Sequence, residues 1–143
     1  MLFALVHYPN IAGGQIDQFR KKYDPQVHLI PPHITLMFPM PEVVGEDHLI
    51  HHLESVLRGW RPFPLHLHGI QISPDDHVFL LIQEGKAGMI RLHDQIYTGI
   101  LTDYLREDIP FIPHLTLGVS NKASGDHERA LREATQLELD CHC

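Results

Sequence analysis

The sequence has few of the features that mark membrane or secreted proteins. Its uninterrupted apolar runs are only a handful of residues long, whereas a membrane-spanning helix needs about 20. The first such run, Met1–Val6, lacks a basic leader, so we interpret it as a strand rather than a signal peptide. The two cysteines, Cys141 and Cys143, lie two positions apart, a spacing that rarely forms a disulfide. These absences predict a cytoplasmic protein with no membrane partner.

Positive charge is also scarce. The net charge of −7 argues against a broad polyphosphate-binding surface, which needs many clustered Lys and Arg residues. It leaves open a small phosphorylated ligand, or an RNA end held in a locally positive cleft. The run Arg20-Lys21-Lys22 is either a solvated helix end or a group that draws an anionic substrate toward the cleft. The length of 143 residues predicts a single domain over 1–143.

One short motif occurs twice. His33-Ile34-Thr35-Leu36 and His114-Leu115-Thr116-Leu117 both follow a proline and both read His-apolar-Thr-Leu. In a β-strand, successive side chains point to opposite faces, so the histidine and threonine of each copy share one face while the apolar residues share the other. Each copy is therefore expected to be a strand with one face in the core and an imidazole and a hydroxyl on the opposite face.

The order of predicted elements also repeats. Strand, helix, motif strand, helix and strand follow one another over residues 1–72 and again over 73–143. We expect an α+β fold of two lobes related by a pseudo-twofold axis, with largely antiparallel sheet, outer helices and a central cleft carrying both motifs. Helices are predicted over 15–23, 46–60, 89–105 and 126–136, and a polar turn over 121–125.

Two imidazoles facing one cleft are suited to general acid–base catalysis, because histidine exchanges protons near neutral pH. One can deprotonate a nucleophile while the other protonates a leaving group on the opposite side, as in-line displacement at phosphorus requires. The two threonine hydroxyls can donate hydrogen bonds to the non-bridging phosphate oxygens. This scheme requires no metal.

The paired motifs resemble the signatures of the 2H phosphoesterase superfamily, and in particular its 2′-5′ RNA ligase-like group. The resemblance implies a two-lobed fold and 2′,3′-cyclic phosphodiesterase, 2′-5′ phosphodiesterase or 2′-5′ RNA ligase activity, without a catalytic metal or other cofactor. It implies that His33 and His114 are the acid–base pair and that Thr35 and Thr116 hold the phosphate. The expected substrate is a phosphodiester in a nucleotide or an RNA end.

The chain departs from this family in two ways. Many members carry an arginine soon after the second motif, whereas Val119 follows Gly118 here. Neutralisation of the phosphate is then expected to be weaker or to come from another residue. Members are also commonly longer, so the second lobe is expected to be minimal or to be completed by another chain; otherwise we expect a monomer or a weak oligomer.

Other interpretations remain open at this stage. The same fold could be a phosphate- or nucleotide-binding module without turnover. His48 and His52, four positions apart on a helix, could clasp a metal, although a solvated helix face is the favoured interpretation. Tyr8 and Phe38 are candidates to stack on a base in the cleft, and Arg20 is a candidate to line it.

Overall fold

The computed structural model describes residues 1–11, 13–120 and 125–143. Within this part of the chain, no helix is both long enough and apolar enough to cross a membrane. The fold is α+β, as expected. The strands are β1 (Leu2–His7), β2 (Ile34–Pro41), β3 (Pro64–Ile72), β4 (His77–Glu84), β5 (His114–Val119) and β6 (Glu138–His142). The helices are α1 (Gln15–Tyr23), α2 (Glu46–Leu57), α3 (Lys86–Ile96) and α4 (His127–Thr135), with a 3₁₀ helix at Gly99–Tyr104.

The six strands form one antiparallel sheet in the order β1-β2-β5-β4-β3-β6. The expected repeat is present, since β1-α1-β2-α2-β3 and β4-α3-β5-α4-β6 follow the same order. The motif strands β2 and β5 are neighbours, and each has the first strand of its own half on its other side. The two motif strands therefore lie side by side, while β3 of the first half crosses over to pair with β4 and β6 of the second half.

The core lies on one face of the motif strands. Ile34, Leu36, Leu115 and Leu117 are almost completely buried, while the residues that alternate with them keep part of their surface exposed. Helix α3 contacts β2 and β4, whereas α1 contacts β5, and α4 contacts β3. Full burial of one such Leu or Ile side chain contributes about 1.5–3 kcal/mol, so this apolar face specifies which way the histidine and threonine point.

The predicted long helix over 89–105 is wrong in its bounds. Helix α3 begins three residues earlier, at Lys86, and ends at Ile96. Gly99, with φ +54°, then begins a separate 3₁₀ helix, in which Leu101 is buried and Ile100 is exposed rather than inward-facing. Helix α2 is also shorter than predicted, ending at Leu57. Positions 121–124 of the predicted polar turn lie outside the described residues.

Helix α1 ends very close to the second motif strand. A Cβ atom at Gly118 would lie 2.5 Å from the carbonyl oxygen of Tyr23, the last residue of α1. Only a residue without a side chain permits this approach. The contact places the loop that follows α1, which leads to the first motif, beside the second motif.

Candidate active site

The four motif side chains lie on one face of two neighbouring strands. Ile34 is paired with Leu115 in the antiparallel ladder between β2 and β5. Extending that register by one residue in each direction sets His33 opposite Thr116 and Thr35 opposite His114. Side chains directly opposite each other have Cβ atoms about 5 Å apart. The two histidines thus occupy diagonal corners of a small patch, with a threonine at each of the other corners.

Both imidazoles are held in the same orientation. Nδ1 of His33 lies 3.0 Å from the carbonyl oxygen of Pro31, and Nδ1 of His114 lies 2.5 Å from that of Ile112. A carbonyl oxygen only accepts hydrogen bonds, so Nδ1 carries the proton in each neutral ring. Nε2 is then the free nitrogen of both rings, and no described residue hydrogen-bonds to it. The proline between each carbonyl and its histidine has a restricted φ, which favours the same local geometry in both motifs.

His114 is the histidine in the drier environment. Its ring stacks on Phe79 of β4, with ring centroids 3.5 Å apart and an interplanar angle of 18°. Burial lowers the pKa of His114 from its ordinary value, and the charges of His33 and His77 contribute to the lowering. The hydrogen bond to Ile112 acts in the opposite direction. The net effect favours a neutral imidazole with a lone pair on Nε2.

The threonine hydroxyls are available to a ligand. Thr35 and Thr116 are each partly exposed, and neither hydroxyl has a hydrogen-bond partner among the described residues. A buried hydroxyl is normally paired within the protein, whereas one that awaits a ligand is left open. Both can donate to an oxygen placed between the two histidines.

A cavity of about 60 Å³ opens beside the first histidine. It is lined by His33, Thr116, His77 and Arg20, together with the loop after α1. Its size is sufficient for a few water molecules or a single phosphoryl group. Larger cavities lie elsewhere; those of about 720 and 300 Å³ surround the connection between α2 and β3 and are lined by neither the histidines nor the threonines of the motifs.

The structure separates the three other candidate cleft residues. Tyr8 lies edge-on to His33, with ring centroids 6.3 Å apart, and is exposed. Phe38 lies farther along β2, where its backbone N–H donates to the hydroxyl of Tyr97; no ring contact joins it to a motif histidine among the described residues. Arg20 lines the cavity but is almost fully buried, and its guanidinium is bonded to the protein itself.

Two of the other histidines are held by structural partners. Nε2 of His52 lies 2.9 Å from the carbonyl oxygen of Ile96, which joins α2 to the end of α3. His66 pairs with Asp140 on the neighbouring strand β6 at 2.7 Å. In the part of the chain that the structure describes, no group of three or more His, Cys, Asp or Glu side chains is arranged to hold a metal ion.

Two residues of the site were not singled out from the sequence. His77 and Phe79 begin β4 and alternate with buried Val78 and Leu80, so they face the same side of the sheet as the motif residues. Their alternation is visible in the sequence and predicts a strand. The pairing of that strand with the second motif strand, which brings both residues to the site, has no local signal.

Comparison with known proteins agrees with the motifs and the fold. The 2′-5′ RNA ligase superfamily matches residues 8–143. A Bacillus licheniformis protein named "Putative phosphoesterase" is 31% identical over 131 residues, covering 88% of this chain and 74% of that protein. A Bacillus cereus protein of the same name is 29% identical over 122 residues, covering 82% of this chain and 69% of that protein. The chain therefore belongs to the 2′-5′ RNA ligase superfamily, and its 2H phosphoesterase resemblance is confirmed.

Proposed function

We propose that this phosphoesterase-type enzyme hydrolyses 2′,3′-cyclic or 2′-5′ phosphodiesters of nucleotides or RNA ends by metal-independent catalysis with two histidines. The observation that carries the proposal is the matched pair His33 and His114. Each donates Nδ1–H to a backbone carbonyl and keeps Nε2 free beside an unpartnered threonine hydroxyl. Hydrolysis at phosphorus needs one base, one acid and donors for the phosphate oxygens, and these four side chains supply them.

The environments of the two histidines suggest their roles. His114, whose pKa is lowered by burial, is the base: its Nε2 takes a proton from water as the water oxygen attacks phosphorus. His33, nearer the surface, is the acid: in its protonated form it donates the Nε2 proton to the ribose oxygen as the P–O bond breaks. The proton balance is complete, since one histidine gains the proton that the other loses.

The diagonal arrangement suits in-line displacement. A phosphorus atom at the centre of the patch would have one histidine on the side of attack and the other on the side of departure. Thr35 and Thr116 at the remaining corners would donate to the non-bridging oxygens. When a ribose 5′-hydroxyl replaces water as the nucleophile, the same base takes its proton and the same acid protonates the departing 3′-oxygen of the cyclic phosphate, which makes 2′-5′ ligation a related activity of the same site.

The test is hydrolysis of the four nucleoside 2′,3′-cyclic monophosphates in EDTA. We expect turnover by the wild type and a loss of roughly 10² to 10⁴ in kcat for both His33→Ala and His114→Ala. The matched control is His66→Ala, which removes a partly exposed histidine at another position of the sheet and should retain wild-type rates.

Three outcomes would contradict the proposal. Near-wild-type rates in both motif variants would exclude the two-histidine mechanism. Abolition of activity by EDTA would exclude a metal-independent mechanism. Binding of nucleotides without turnover, on cyclic phosphates and on 2′-5′-linked oligonucleotides alike, would favour the phosphate-binding module.

A further inference from the structure

The proposed reaction places an anionic phosphate where the second motif strand offers no cation. Val119 follows the motif and Gly118 in β5, and its side chain carries no charge. The two threonines donate neutral hydrogen bonds, and a buried histidine with a lowered pKa is mostly uncharged. A positive group near the end of β5 must therefore come from another element if the phosphate charge is to be balanced.

The neighbouring strand supplies a histidine at that point. His77, the first residue of β4, is the direct cross-strand partner of Val119. It also lines the small cavity that contains His33 and Thr116. Side chains of directly paired residues are neighbours on the same face of a sheet. A cationic side chain at position 77 therefore lies at the same end of the β4–β5 ladder as a cationic side chain at position 119 would.

The turn before β4 orients this imidazole. Nδ1 of His77 lies 3.0 Å from Oδ2 of Asp75, and its backbone N–H donates to the hydroxyl oxygen of Ser73 at 2.9 Å. The Ser73 hydroxyl in turn donates to the other carboxylate oxygen of Asp75. The hydrogen bond from Ser73 lowers the pKa of Asp75, followed by that from His77. Asp75 is thus held as a carboxylate against Nδ1, and Nε2 has no partner among the described residues.

The other charged or titratable side chains around the cavity already have partners or proposed roles. Arg20 and Asp24 also line it, but they bind each other at 2.7 Å and are almost completely buried. His33, just before β2, and His114, at the start of β5, already have the proposed proton-transfer roles. The pair of His77 and Asp75 is more open, with side chains 40% and 72% exposed, so an incoming anion can reach the imidazole.

We propose that His77, positioned by Asp75, is the cationic phosphate-binding side chain of this site and takes the place of the arginine that many relatives carry after the second motif. The inference rests on the proposed function. An imidazole between a carboxylate and a phosphate can donate one N–H to each as the imidazolium ion. Charge-assisted hydrogen bonds of this kind are the stronger class.

The test is titration calorimetry with inorganic phosphate at pH 6.5, which needs no turnover. We expect His77→Ala to weaken phosphate binding roughly tenfold or more, the scale for a hydrogen bond to a charged group. Asp75→Asn, which keeps the shape but loses the charge, should weaken phosphate binding by a smaller factor than His77→Ala does. His66→Ala, which removes a partly exposed histidine that is also paired with a carboxylate, is the matched control and should bind like the wild type.

Relocating the charge makes the test specific. We expect His77→Arg, or His77→Ala combined with Val119→Arg, to recover most of the phosphate affinity. In hydrolysis assays, His77→Ala should raise KM much more than it lowers kcat. Unchanged phosphate affinity in His77→Ala, failure of both arginine variants to restore it, or a loss confined to kcat would each overturn the proposal. A wild type that binds phosphate but shows no turnover would contradict the proposed function. The comparison of phosphate affinity between the wild type and the His77 variants would still test the role of His77.

Discussion

Replacement of Arg20 by methionine should reveal how the loop before the first motif is held. Arg20 is only 2% exposed. Its Nε donates to Asp24 at 2.7 Å, and its Nη2 donates to the carbonyl oxygen of Ile30 at 2.7 Å. These bonds join α1 to the loop whose Pro31 carbonyl accepts the hydrogen bond from His33. Arg20 is therefore placed to position, from a distance, a histidine for which we propose a catalytic role.

The magnitude follows from the burial of this pair. Removing one partner of a buried ion pair costs about 3–5 kcal/mol, because the remaining charge is left without compensation. Asp24 keeps one hydrogen bond, from the backbone N–H of Gln26 at 2.8 Å, but loses its cation. A typical domain has about 5–15 kcal/mol of stability, so Arg20→Met should fold in dilute buffer with a much lower free energy of unfolding. Its kcat should fall because His33 loses its fixed orientation.

The assay is urea unfolding monitored by circular dichroism, with Arg20→Met compared with Arg20→Met/Asp24→Leu. We expect the double variant to be more stable than Arg20→Met alone, since no unpaired carboxylate remains. The matched control lies on the same helix: Lys22 pairs with Glu133 at 3.1 Å, and the Lys22 side chain is 58% exposed. Lys22→Met should cost less than about 1 kcal/mol.

One result would refute this reasoning. If Arg20→Met lost less than about 1 kcal/mol of stability and instead raised KM at unchanged kcat, Arg20 would be a substrate contact rather than an internal anchor. The interpretation that Arg20 draws the substrate would then replace the structural one.

Three further results are expected. Gly118→Ala should destabilise the protein by about 1–3 kcal/mol or more, because the new Cβ would lie 2.5 Å from the Tyr23 carbonyl oxygen. Gly59→Ala is the control: nothing lies within 4 Å of its new Cβ, so its free energy of unfolding in the same urea assay should be nearly unchanged. The acid limb of the kcat/KM profile should have its midpoint below about 6.5, since burial lowers the pKa of His114 and a base must be neutral; a midpoint above that of free imidazole would count against this assignment. Burial raises the pKa of Cys143 to about 11, so a thiol reagent at pH 7 should modify it roughly a hundredfold more slowly than an ordinary cysteine, and an equal rate in folded and unfolded protein would contradict this.

Much of the site was predictable because the information is local. The alternation of side chains along a strand follows from backbone geometry, so His33 and Thr35 had to share the face opposite to Ile34. The repeated order of strands and helices could likewise be read from apolar spacing. The end of α3 was missed because apolar periodicity continues past Ile96, and only the observed backbone shows that Gly99 begins a different helix.

The sequence by itself determined which residues alternate along the two motif strands and which face of each strand carries the histidine. Tertiary structure alone decided which other residues join them. Phe79 reaches His114, and His77 reaches the cavity beside His33, only because β4 pairs with β5. Gly118 likewise allows α1, which carries Arg20, to approach β5. Strand pairing and close packing depend on groups far apart in the chain, whose cooperation no short stretch of sequence encodes.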